Sequence, residues 1–175
     1  MPDLLAHYVA SYLIARSVVR SRFRALLLAL IGIAPDLDVV AHIHRSATHS
    51  LVLSLILAFP IFISSFWFDT MKRMRVVIAL AILLYVLHLV MDLFTGYVPI
   101  LWPLTDRSYY LDLRIEFVSS ELDHPMNISI HIASTRTQFV YCENVGGSIA
   151  ALPGIILAIT AIILESMQEL EKRCK

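Results

Sequence analysis

Pro35-Asp36-Leu37-Asp38, followed closely by His44-Arg45-Ser46-Ala47-Thr48-His49, is the stretch whose reading decides the fold. It separates two apolar runs, Phe23 to Ala34 and Thr48 to Phe68. Carboxylates and imidazoles in such surroundings are costly unless something pairs or binds them. Pro35 removes a backbone donor and disfavours helical geometry in Ala34, so the two aspartates fall in a break between helices.

Working outward, apolar residues make up 58% of the 175 and the mean hydropathy is +0.75. Both exceed what a soluble domain of this length needs for its core, which points to an integral membrane protein. A net charge of zero without a long basic run gives no reason to expect nucleic acid as a partner. Cys142 and Cys174 are the only cysteines, too few and too far apart for a disulfide framework or a thiolate zinc site. Any metal would have to be held by His and carboxylate.

Five apolar segments follow in order: Leu4 to Val19, Phe23 to Ala34, Thr48 to Phe68, Val76 to Tyr97 and Ile149 to Leu164. Thr48 is a candidate N-cap, Pro60 a candidate kink, and Pro153-Gly154 loosens the start of the last segment. Tyr109 to Phe117, Asn127 to Ile132 and Gln138 to Glu143 instead alternate with a period of two, which predicts antiparallel strands outside the bilayer. The expected fold is an all-α polytopic membrane protein of about five helices, four to five of them spanning, with a small antiparallel β element between the last two. Residues 1–175 then form one membrane domain: a helical core over 1–105, an extramembrane insertion over 106–145, and a C-terminal helix with a charged tail over 146–175.

In that arrangement Arg16, Arg20, Arg22, Arg24, Lys72, Arg73, Arg75, Lys172, Arg173 and Lys175 share one side, and Arg45, Arg107, Arg114 and Arg136 the other. The positive-inside rule makes the first side cytoplasmic, so the chain is expected in the inner or plasma membrane with its C-terminus in the cytoplasm. His7, Asp36, Asp38, His44, His49, His88 and Asp92 then gather near the outer face. His88 and Asp92, at i and i+4, project from one face of a helix and can reach one ion. The bland readings are a His–Asp hydrogen bond for that pair, a cap for Asp36 or Asp38, a polar loop for His44 and Arg45, and a satisfied core histidine for His7. Three histidines and three aspartates at one depth (His7, Asp36, Asp38, His49, His88, Asp92) nevertheless fit an N/O site for zinc, manganese or iron better than six unrelated accidents.

Pro-Asp-x-Asp, His-Arg-x-x-Thr-His-Ser and His-x-x-x-Asp, running into Leu101-Trp102-Pro103 and preceded by an early His, resemble the YdjM-like family of membrane-bound metal-dependent hydrolases. The matching positions are His7, Pro35, Asp36, Asp38, His44, Arg45, Thr48, His49, Ser50, His88 and Asp92, within roughly the first 110 residues. The chain departs from the family pattern at Val39, where a His is frequent, and at Ser46, where a Gly is frequent. The first departure leaves open whether His42 substitutes.

The resemblance implies a membrane-embedded, metal-dependent hydrolase of the phosphoester class. The distribution of basic residues puts its site at the outer surface, and the short run from Phe23 to Ala34 sets Asp36 and Asp38 near the headgroup level, with Leu101-Trp102-Pro103 at the same interface, which favours a lipid-linked or membrane-associated substrate. One or two divalent ions, zinc first among them, would be held by the six His and Asp residues, with Asp36 or Asp38 as a bridge. Arg45 would receive a phosphate oxygen, and His44 would sit behind the ligands or protonate the leaving group. The alternatives are a non-enzymatic membrane protein with a structural metal and a scaffold whose β element binds a partner.

Overall fold

The computed structural model describes residues 3–42, 45–117, 126–139 and 149–173. Helix α1 (Leu4–Val18) begins where the Asp3 side chain accepts the amide hydrogen of Leu5 at 3.0 Å. The other Asp3 oxygen accepts from the amides of Ala151 at 2.7 Å and Gly154 at 2.9 Å, at the start of the last helix. That helix is α6 here (Leu152–Arg173), numbered after α2 to α5 below. One buried carboxylate therefore satisfies free amides at two helix N-termini. Position 154 has to be glycine for this, because a Cβ there would land on the Asp3 carboxylate. Farther along, Glu165 of α6 accepts from Tyr12 at 2.8 Å, Arg16 at 2.7 Å and Arg22 at 2.6 Å. Helices α1 and α6 thus lie side by side, pointing the same way.

Helix α2 (Arg22–Ala29), capped by Ser21, runs directly into a 3-10 turn at Leu30–Ile33, and a second one follows at Pro35–Ala41. Gly32 lies against α1, where a Cβ would strike the Ser11 side chain, so this close approach requires glycine. A third 3-10 turn, Ala47–His49, leads into α3 (Leu51–Ser64). The short α4 (Asp69–Lys72) is followed by α5 (Arg75–Leu93), which packs on both α3 and α1. Strands β1 (Arg107–Phe117) and β2 (Met126–Arg136) form an antiparallel hairpin in register from Arg107↔Arg136 to Phe117↔Met126. Its base is tied to the end of α5 by backbone bonds between Val98 and Tyr109, both 2.8 Å.

The interior is small and changes character along its length. Ala15, Ala25, Leu80 and Leu84 make an apolar core, surrounded by Tyr12, Ile14, Val19 and Leu28. On α5 the buried stripe then continues at four-residue spacing from Leu80 and Leu84 to His88 and Asp92. The stripe on α1 does likewise, through Ala15, Ser11 and His7. Large apolar side chains instead face outward, as Leu55, Ile56, Leu57 and Phe59 do on α3 and Ile155, Ile156, Ile159 and Ile163 on α6. Polar inside and apolar outside is the reverse of a water-soluble domain.

The expectation of four to five spanning helices is not met. Among the described residues, two helices are long and apolar enough to cross a membrane, Arg75–Leu93 and Leu152–Glu171. Helix α1 has 15 residues and α3 has 14, so at about 1.5 Å per residue each falls well short of a hydrocarbon core of about 30 Å. Phe23 to Ala34 is shorter still as an α-helix, because α2 tightens to 3-10 geometry after eight residues. Thr48 is not the cap of α3: Ser50 takes that role, accepting from Leu53 N at 3.1 Å, and Thr48 turns its hydroxyl to Asp38 and the Pro35 carbonyl. The charged tail is helical, continuing α6 to Arg173. The first two expected strands are present, whereas Gln138 and Phe139 belong to no strand and the rest of that run lies outside the described residues.

Candidate metal centre

Asp36, His49, His88 and Asp92 each offer one ligand atom, and these atoms all lie within 4.8 Å of one another, a group that could hold a metal ion. Two 3-10 turns and one helix bring them together. Pro35 starts the 3-10 turn that carries Asp36 and Asp38. The turn at Ala47–His49 delivers His49 just ahead of α3, and α5 supplies His88 and Asp92 from its buried stripe. His49, His88 and Asp92 are fully buried or nearly so, and Asp36 is 9% exposed.

Each imidazole is oriented by what its other nitrogen touches. His88 Nδ1 stands 2.8 Å from the Gly32 carbonyl, an acceptor, so this nitrogen carries the proton and Nε2 is left with its lone pair. That Nε2 faces Asp36 Oδ1 at 3.6 Å, Asp92 Oδ2 at 3.9 Å and His49 Nε2 at 3.4 Å. His49 Nδ1 meets Asp38 Oδ2 at 3.3 Å, while its Nε2 meets Asp36 Oδ1 at 3.5 Å and Asp92 Oδ2 at 3.3 Å. Asp38 is thus at the opposite ring nitrogen from the other two aspartates. Its Oδ2 also accepts from Ser46 N at 2.8 Å and Thr48 Oγ1 at 3.1 Å, which ties the loop to the centre.

His7 stacks on His88 with ring centroids 4.2 Å apart and reaches Asp92 Oδ1 at 3.3 Å. The two oxygens of Asp92 therefore face different partners: His7 on one, and His49, His88 and Arg45 Nε at 3.4 Å on the other. Asp36 Oδ1, both Asp92 oxygens and both His7 nitrogens are buried without a hydrogen bond among the described residues. Oxygens and nitrogens gathered this way suit a cation, and the mixed donors match the N/O preference of zinc, manganese or iron. His49 lies just before α3, and its ionisation reflects the same crowding. Burial alone would lower its pKa, but the carboxylates of Asp36, Asp38 and Asp92 raise it to about 10.

Arg45 has a left-handed backbone, φ 55°, and sends its guanidinium to Thr95 Oγ1 at 3.1 Å and the Tyr97 carbonyl at 3.4 Å. Gly96 makes the passage: a Cβ there would sit on the guanidinium. Of the residues singled out in the sequence, His7, Asp36, Asp38, Arg45, His49, His88 and Asp92 come together in space, and His44 lies outside the described residues. His42 is exposed at the end of its 3-10 turn. Sequence reading missed the Gly32 carbonyl, which has no side-chain signal, and the Thr95-Gly96 cradle, which follows Asp92 directly.

Apolar-faced helices enclosing a buried His/Asp group define a membrane protein with a centre that could hold a metal. The family model of the YdjM inner membrane protein matches residues 3–168, and the chain belongs to that family. The match extends well past the motif-bearing first 110 residues, so the hairpin and most of α6 lie within the family's span too. Comparison with curated proteins and with solved structures gave no match.

Proposed function

We propose that this chain is a metal-dependent phosphoesterase of the inner membrane that works on a lipid-linked or membrane-associated substrate at the outer surface. The observation that carries the reading is a two-His, two-Asp group with an arginine guanidinium 3.4 Å from one of its carboxylates. A bound divalent ion, zinc before manganese or iron, would supply a water of lowered pKa and polarise the phosphoryl oxygen. Asp36, His49, His88 and Asp92 would hold it, and His7 with the second Asp92 oxygen would be the donors for a second ion. Arg45 takes a non-bridging phosphate oxygen through its planar fork. The water oxygen would add to phosphorus with loss of its proton to solvent, the ester P–O bond would break, and the leaving oxygen would take a proton, for which His44 is the candidate donor.

Orientation is proposed from α5 alone. Lys72, Arg73 and Arg75 stand at its start and His88 and Asp92 near its end, which puts the start in the cytoplasm and the centre toward the outer face. The deep burial of the four donors also suits a purely structural metal. The two readings separate in one assay: purified, zinc-loaded protein with a water-soluble phosphodiester, with and without chelator. Chelator-sensitive cleavage that falls in Arg45→Lys while metal content stays constant supports the enzyme; full metal content without cleavage supports the structural role.

A further inference from the structure

Between α3 and α5 runs a groove of about 380 Å³, within the roughly 300–1,000 Å³ range of ligand pockets. Leu57 and Ala58 form part of one wall, Ala81 and Ile82 part of the other. Its two side-chain hydroxyls are both spent inside the protein: Ser54 Oγ donates to the Leu51 carbonyl at 2.9 Å and Tyr85 Oη to the Thr48 carbonyl at 2.6 Å. Such a lining has little to offer a polar ligand and suits hydrocarbon.

The groove also leads somewhere. Tyr85 is three residues before His88 on α5, about 4.5 Å of helix rise. It bonds Thr48, whose own hydroxyl bonds Asp38 at 3.1 Å and whose neighbour is His49. Ile31, also in the lining, precedes Gly32, whose carbonyl orients His88. A larger cavity of about 690 Å³ between α1, α2 and α6 is edged by the pairs Arg22–Glu165 and Arg22–Glu169, charged groups that suit a hydrocarbon chain less well.

We propose that the α3–α5 groove holds the hydrocarbon chain of a lipid phosphoester whose phosphate lies at the His/Asp group, an inference that rests on the phosphoesterase reading above. The test uses wild-type protein reconstituted in phosphatidylglycerol vesicles with zinc and a trace of phosphatidylglycerol carrying a diazirine in its acyl chain. Parallel samples carry a diazirine diacylglycerol, which has no phosphate. After irradiation, phosphatidylglycerol adducts should concentrate on groove residues such as Ile78 and Ile82 and exceed those of diacylglycerol. They should fall by roughly tenfold or more, the scale of misfit in an apolar pocket, in Ala81→Phe and in Ala58→Leu. Leu83→Phe, on α5 but outside the groove and 52% exposed, should change nothing.

Adducts spread evenly over the outward faces of α3 and α6, or equal for the two lipids, would overturn the proposal. Cleavage of a water-soluble phosphodiester and metal content, read on the same samples, separate its failure from that of the underlying reading. Retained cleavage with unlocalised adducts removes the groove alone. Absent cleavage with zinc bound removes the enzyme, and the groove's substrate with it.

Discussion

At the residue scale, the centre is a set of paired constraints: one ring nitrogen of His49 and one of His88 is held by a neighbour so that the other faces inward. Asp38→Ala should therefore weaken metal binding by about 10–100-fold, as loss of a partner behind a ligand does, without abolishing it. The measurement is titration of the protein with zinc. His49 adds a pH dependence whose sign follows from its raised pKa. With no metal it is protonated up to about pH 10, and ligation requires the neutral ring, so a proton must leave as an ion enters. Apparent affinity should rise with pH by up to about tenfold per unit until that value is reached, and calorimetry in buffers of different ionisation enthalpy should count the released proton. A flat affinity would show that His49 is not a ligand. The His and Asp types were legible in the sequence because ionisable groups stand out in apolar runs. Their division into Asp36 inside the group and Asp38 behind His49 was not, since both lie in a non-helical turn whose geometry the spacing of two leaves open.

At the element scale, the fold depends on where helices begin. Asp3 caps α1 and α6 together, so Asp3→Ala should cost about 1–2 kcal/mol at each cap, more than the usual single loss. Gly154→Val should act in the same direction by displacing the Asp3 carboxylate. Thermal unfolding in detergent checks both, with Ile156→Val, at an exposed position on α6, for comparison. Apolar runs were legible, but their helical lengths were not. Hydropathy sees the run from Phe23 to Ala34 as continuous, whereas its backbone tightens at Leu30 so that Gly32 can meet Ser11 and present its carbonyl to His88. The same holds for α3, where Ser50 rather than Thr48 sets the start because Thr48 is committed to Asp38. Alternation revealed β1 and β2 since an antiparallel pair keeps a period of two throughout.

At the scale of the whole molecule, the buried stripes of α1 and α5 give the protein an alanine and leucine end and a histidine and aspartate end, and the proposal that the first of these faces the cytoplasm rests on the basic residues at the start of α5. With Cys142 and Cys174 replaced by Ser, an impermeant thiol reagent applied to intact cells should label Leu104→Cys and spare Lys72→Cys; the opposite pattern would invert the orientation. Leu104 is 74% exposed just beyond the end of α5 and Lys72 lies just before its start, so the pair brackets one helix without assuming how many others span. The central claim, that the polar end holds a metal, is tested most directly by elemental analysis of purified wild-type protein beside Asp92→Ala and His131→Ala, the latter an exposed histidine on β2. The account predicts one or two equivalents of divalent metal in the wild type and in His131→Ala, and a near-complete loss in Asp92→Ala. No metal in the wild type after zinc loading, or the same content in all three, would contradict it.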